Sequence, residues 1–124
     1  MVSVGILRHV PKRVGEGVDL GGVFHALSDP TRRRVVERLG QGPATTSDLA
    51  RPFDMALPSF TQHLSVLERS GLVTSEKKGR VRTYQLAPQP LEDVDTWLAA
   101  QRKLWTRRLD QLDSFLYDLK EQQT

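Results

Sequence analysis

Four hydrogen-bonding side chains fall within five consecutive positions: Ser59, Thr61, Gln62 and His63. They follow Pro58, a residue suited to the first turn of a helix. Side chains of this kind at the N-terminal end of a helix fit the edges of bases in a DNA major groove. Gln62 can pair with adenine N6 and N7, and the hydroxyls of Ser59 and Thr61 can meet donors or acceptors. His63 has two readings, a bond to a phosphate or a packed residue that braces the turn. A cationic group follows within one short stretch: Lys77, Lys78, Arg80 and Arg82, clustered about Gly79. Cations on a hairpin fit the phosphates beside a groove, which position a protein without reading sequence. Arg32, near the start of an earlier helix, is a further candidate for a phosphate contact.

The same inventory argues against catalysis. There is no cysteine and there are only three histidines, His9, His25 and His63. Neither a thiolate metal site nor a disulfide is available, and no Gly-rich phosphate loop is present. Ser59 and His63 stand one helical turn apart, which helix spacing explains without a nucleophile. The expectation is a protein that is not an enzyme and needs no cofactor or metal.

These residues need elements to hold them. Residues 1–19 contain Gly5, Pro11, Gly15 and Gly17 and no sustained period, so they read as a flexible N-terminal arm, with Arg8, Lys12 and Arg13 near phosphate at most. A first helix from Leu20 carries Val23, Phe24 and Leu27 on one face. Asp29-Pro30 starts a second, with Asp29 as N-cap. Its buried stripe is Val35, Val36 and Leu39. Arg32, Arg33 and Arg34 fan around that helix at about 100° per residue, largely solvated, with Arg33 placed to pair with Glu37. Thr45 or Thr46 caps a third helix over 47–53 that buries Leu49 and Phe53. The fourth helix buries Phe60, Leu64 and Leu67 and stops at Gly71, with Leu72 folding back on Leu67. Strands at 73–77 and 81–86 alternate, with Tyr84 and Leu86 facing the core and Arg82 outward.

Pro88 and Pro90 separate this hairpin from a long helix at about 91–121, with Glu92, Asp93 and Asp95 in its first turns. Leu91, Val94, Leu98, Trp105, Leu112, Phe115 and Leu119 form its apolar seam. That is more apolar surface than so small a domain can cover, so a partner surface is expected, most simply a second copy of the chain. The fold class is mainly α with a small β-hairpin, a winged helix-turn-helix carrying a long C-terminal dimerisation helix. The domains expected are the arm at 1–19, a DNA-binding domain at 20–88, and the dimerisation helix at 89–124, packed on the same domain.

Charge is uneven. Residues 1–86 hold 13 Lys/Arg against 8 Asp/Glu, and residues 87–124 hold 5 against 7. A basic front suits a polyanion. No run of apolar residues is long enough to span a bilayer, and the N-terminus lacks a signal-peptide pattern, so a cytoplasmic protein without membrane contact is expected.

With the elements in this order, the sequence resembles the ArsR/SmtB family of bacterial winged helix-turn-helix repressors. The residues that carry the resemblance are Ala26-Leu27-Ser28-Asp29-Pro30-Thr31-Arg32, Ser47-Asp48-Leu49-Ala50, and residues 62–73, Gln-His-Leu-Ser-Val-Leu-Glu-Arg-Ser-Gly-Leu-Val. Lys78-Gly79-Arg80 and Tyr84-Gln85-Leu86 fit the wing. The resemblance covers about residues 20–120. It implies a homodimer whose two recognition helices enter successive major grooves of an inverted-repeat operator in double-stranded DNA. It also implies repression relieved by an inducer, often a metal ion. The metal part does not transfer. Ser47-Asp48-Leu49-Ala50 stands where thiolate-sensing members carry cysteines, and the terminal helix contains no histidine. The chain therefore resembles the branch without metal ligands, with any inducer an unknown small molecule. The competing expectation is a winged-helix module that binds protein instead of DNA.

Overall fold

Local signals in the sequence account for most of the element boundaries. The computed structural model describes residues 19–123, so the expected arm at 1–19 lies outside the described residues except for Asp19, which belongs to the first helix as its cap. Helix α1 spans Leu20–Leu27 and is capped by Asp19, whose carboxylate accepts from Gly22 N at 3.1 Å. Helix α2 spans Pro30–Leu39. Pro30 has no N–H to lose there, and Asp29 Oδ2 accepts from Arg32 N at 3.1 Å. Helix α3 covers Thr46–Ala50, shorter than the expected 47–53. It is held by a capping box: Asp48 N donates to Thr45 Oγ1 at 3.1 Å, and Thr45 N to Asp48 Oδ2 at 3.5 Å. Helix α4 spans Leu57–Arg69. Gly71 follows in the left-handed region at φ 85°, which a side chain would strain, and Leu72 is fully buried behind it.

Three antiparallel strands complete the head in the order β1-β3-β2. Strands β2 (Val73–Lys78) and β3 (Val81–Leu86) form the hairpin, paired from Val73–Leu86 to Lys78–Val81. Gly79 and Arg80 make the turn, and Gly79 takes φ 63°, as such a two-residue loop demands. Strand β1 is only Ala44–Thr45, paired with Tyr84 and Thr83. The sequence offers no sign of it, because two residues cannot display a period.

The core of the head gathers Val23, Val35, Leu49, Phe60, Leu64 and Leu72 from these elements. Three expectations are corrected. Phe24 is exposed, and the buried face of α1 is Val23 with Ala26. Phe53 is half-buried beyond the end of α3; its ring lies 5.3 Å from Phe60, and the Arg34 guanidinium lies 4.6 Å from its centroid. Arg33 donates to the Leu27 carbonyl at 2.8 Å, where a pairing with Glu37 was expected.

The chain forms two compact units that meet between Glu92 and Asp93. The boundary falls inside helix α5, which runs Pro88–Gln123, 36 residues or about 54 Å. Pro88 and Pro90 lie within its first turn, contrary to the expectation that they precede it. The first N–H groups of a helix have no intrahelical acceptor, so a proline there forfeits nothing. With the helix starting earlier, Glu92, Asp93 and Asp95 fall past the first turn, where its dipole acts less. Leu98, Trp105, Leu112, Phe115 and Leu119 are exposed, as are Leu109 and Leu116. Val94 is buried and Leu91 half-buried within the protomer, so these two of the expected seam offer a partner little. No helix among the described residues is long and apolar enough to cross a membrane.

Two carboxylates contribute to acid lability. Asp48 is held below the usual carboxylate range by the Thr45 hydroxyl and backbone N–H. Burial pushes Asp29 up, but the Arg32 N–H and the charges of His63 and Arg32 outweigh it, so it too is lowered. A carboxyl lowered on folding stabilises the native state above its unfolded value, and that contribution is lost as pH falls through the folded value. Asp29→Ala removes the α2 cap and is expected to cost about 1–2 kcal/mol in urea unfolding at neutral pH. It should also flatten the acid limb of the stability profile.

Candidate nucleic-acid interface

Helix α4 is positioned by its apolar stripe. Phe60, Leu64 and Leu67 turn inward, which directs Ser59, Gln62, Ser65 and Arg69 to solvent. Among the described residues, Ser59 and Gln62 have no hydrogen-bond partner, so both retain their full donor and acceptor capacity. Thr61 is half-buried and donates its hydroxyl proton to the Pro58 carbonyl at 3.0 Å, leaving its oxygen as an acceptor. Helices α1, α2 and α3 each receive a side-chain cap, whereas Ala56 gives α4 none, so the leading N–H groups of α4 stay open. Leu57 is exposed in the same turn.

Arg32 departs most from expectation. It was expected to be solvated and near phosphate, yet it is only 8% exposed. Its Nε donates to the Ala26 carbonyl at 2.7 Å, its Nη2 to the His25 carbonyl at 3.1 Å, and its Nη1 meets His63 Nδ1 at 3.0 Å. The guanidinium thus ties the end of α1 to the recognition helix. The burial is affordable because these three acceptors satisfy the buried donors. A sequence signal for it exists: Arg32, Val35 and Leu39 follow the spacing of one helix face, and all three are buried. His63 is correspondingly half-buried, braced between Arg32 and Asp29, whose Oδ2 lies 3.7 Å from Nδ1.

On the wing, Lys77, Lys78 and Arg80 are exposed at and beside the turn. Arg82 is exposed too, but it shares a pleat face with Tyr84, and its Nη1 donates to Ser75 Oγ at 2.9 Å. Ser75 Oγ in turn donates to Glu68 Oε2 at 2.7 Å. Sequence reasoning missed this strut between wing and recognition helix, since neither Ser75 nor Glu68 stands out by type or spacing. Lys77 and Arg82 sit directly opposite in the ladder, a like-charge pair that an anion between or beside them would relieve. Tyr84 beneath them is buried, which pushes its hydroxyl up from the ordinary value, and the Glu68 charge adds to this.

No group of three or more His, Cys, Asp or Glu side chains converges to hold a metal ion among the described residues. The arrangement therefore consists of a helix with free polar side chains, a cationic hairpin braced against it, and a buried arginine behind.

Comparison with known proteins agrees with this geometry. A family model described as a helix-turn-helix domain matches residues 27–76. The chain is 42% identical over 86 residues to the HTH-type transcriptional regulator Rv2034 of Mycobacterium tuberculosis, covering 69% of this chain and 78% of that protein. It is 34% identical over 79 residues to the transcriptional repressor SdpR of Bacillus subtilis, covering 64% of this chain and 88% of the repressor. The crystal structure of the ArsR family transcriptional regulator RHA00566 superposes with a TM-score of 0.68 at 55% identity, over 70% of this chain and 90% of that one. A helix-turn-helix with a braced wing, matched at these identities over most of each relative's length, leads to one conclusion: the chain belongs to the ArsR family of transcriptional regulators.

Proposed function

We propose that this regulator is a homodimeric repressor that binds an inverted-repeat operator in double-stranded DNA and occludes a promoter, without catalytic activity, in the cytoplasm where that DNA lies. The observation that carries the DNA reading is the pair of uncommitted side chains, Ser59 and Gln62, on the solvent face of a helix whose other face is fully packed. Residues 20–88 act as the DNA-binding domain. Ser59, Thr61, Gln62 and His63 face the bases or the phosphates beside them, and Lys77, Lys78, Arg80 and Arg82 meet the backbone. Arg32 acts from behind, through His63. Helix α5 supplies the dimer surface through Leu98, Trp105, Leu112, Phe115 and Leu119, all exposed in the single chain. The repressor SdpR is a relative consistent with this role.

The test is fluorescence anisotropy on a duplex selected from a random pool, with competitor DNA and a salt series, alongside sedimentation. The reading requires an inverted repeat bound far more tightly than competitor, by a dimer. Absence of salt-dependent DNA binding would shift it to a protein-interaction module. Gln62→Ala is expected to cost about 1–3 kcal/mol on the selected site and to relax preference at one base position. Uniform loss on every duplex would remove Gln62 from base reading. Arg82→Ala should weaken binding on all sequences and make the salt slope shallower by about one unit. An unchanged slope would confine Arg82 to its strut with Ser75.

A further inference from the structure

The Arg32–His63 contact is decided by which atoms carry protons. A guanidinium has donors only. With Nη1 3.0 Å from Nδ1, the imidazole nitrogen has to accept, and a neutral ring then carries its proton on Nε2. Arg32 cannot turn away from this contact, because Nε and Nη2 are bonded to the Ala26 and His25 carbonyls. The alternative partner for Nδ1 is Asp29 Oδ2, at 3.7 Å and beyond hydrogen-bond reach. That oxygen already accepts from Arg32 N. The far edge of the ring is different. Nε2 has no hydrogen-bond partner among the described residues, and no buried side-chain nitrogen or oxygen there lacks one. The described residues therefore do not seal Nε2 from solvent, on the helix that carries Ser59 and Gln62.

We propose that Arg32 is a positioning residue that locks His63 in the Nε2–H tautomer, so that His63 presents one fixed donor to a hydrogen-bond acceptor on DNA. The acceptor is a phosphate oxygen or N7 of guanine, each of which accepts from an N–H. A donor in a fixed place discriminates against amino groups and needs no rearrangement on binding, whereas a ring free to exchange tautomers does neither. The DNA half of the proposal rests on the operator-binding reading above; the tautomer half does not.

The test begins with the free full-length protein, labelled with nitrogen-15, at a pH where the imidazoles are neutral. The His63 ring signals are assigned by their loss in His63→Gln. The expected spectrum has a protonated Nε2 and an unprotonated Nδ1, and Arg32→Met moves both signals towards a tautomer average. A wild-type spectrum already averaged, or with the proton on Nδ1, overturns the lock without reference to any variant or to DNA. The second arm replaces operator positions one at a time with methylphosphonate linkages or with 7-deazaguanine. One replacement is expected to weaken wild type about five-fold and to leave His63→Phe unchanged. A methylphosphonate position identifies a phosphate and a 7-deazaguanine position identifies the base. If neither series separates wild type from His63→Phe, the donor role on DNA is overturned. If wild type selects no duplex, the operator-binding reading fails and the spectrum still decides the lock.

Discussion

Leu112→Glu is expected to convert the protein to a monomer that holds its operator about 10²–10⁴-fold more weakly, the avidity that two linked heads gain over one. Leu112 is 50% exposed in the single chain, so a carboxylate there costs the protomer little. Its effect lies in the dimer, where an unpaired charge at a buried seam is strongly unfavourable. Leu109 and Leu116 are exposed one helical turn to either side and extend the same apolar surface. Sedimentation should report the loss of the dimer, circular dichroism should report an intact helix, and anisotropy should report weak binding that no longer prefers the inverted repeat. A dimeric, fully active Leu112→Glu would place the interface elsewhere.

Phe60→Ala has the largest expected effect on stability, about 3–5 kcal/mol in urea unfolding. Phe60 is 0% exposed and is the largest of the fully buried side chains. Its ring meets Phe53, which lies under Arg34, so its removal loosens a stack that joins α2, the turn after α3, and α4. The residue sits in the first turns of the recognition helix, two positions before Gln62. Operator affinity should therefore fall further than the folded fraction alone predicts. Phe60→Leu keeps most of the volume and is expected to recover much of both losses. A cost below about 1 kcal/mol for Phe60→Ala would mean that the site collapses around the gap and that the aromatic stack does not position the helix.

Much of the fold can be read locally. Asp29-Pro30 marks the start of α2 because a capping carboxylate and a residue without N–H fit only there. Gly71-Leu72 marks the end of α4 because the chain reverses through a left-handed residue. The hairpin is visible in alternation over β2 and β3, and the long apolar seam of α5 in its helical spacing. Features built from contacts distant in sequence are less legible. Strand β1 exists only through its pairing with Thr83 and Tyr84. Phe53 was expected in the core, but α3 ends at Ala50 and leaves it half-covered. Pro88 and Pro90 resemble helix breakers until the start of α5 is known.

The sequence by itself determined the order of the helices and the hairpin, the apolar face of the recognition helix and the family, because caps, turn residues and periodicity act between neighbours. It also narrowed the DNA-facing residues to a short polar run and a basic hairpin. Only the tertiary structure decided which of those polar groups remain available. Arg32 and Arg82 have the same chemistry and both were expected at phosphates. Arg32 is enclosed by the end of α1 and by His63, 31 positions away in the chain, whereas Arg82 is held at the surface through Ser75. Among the described residues Ser59 and Gln62 have no such partners and stay free. A side chain's type specifies what it can bond, but its partners come from other elements, and only packing brings those partners within about 3 Å.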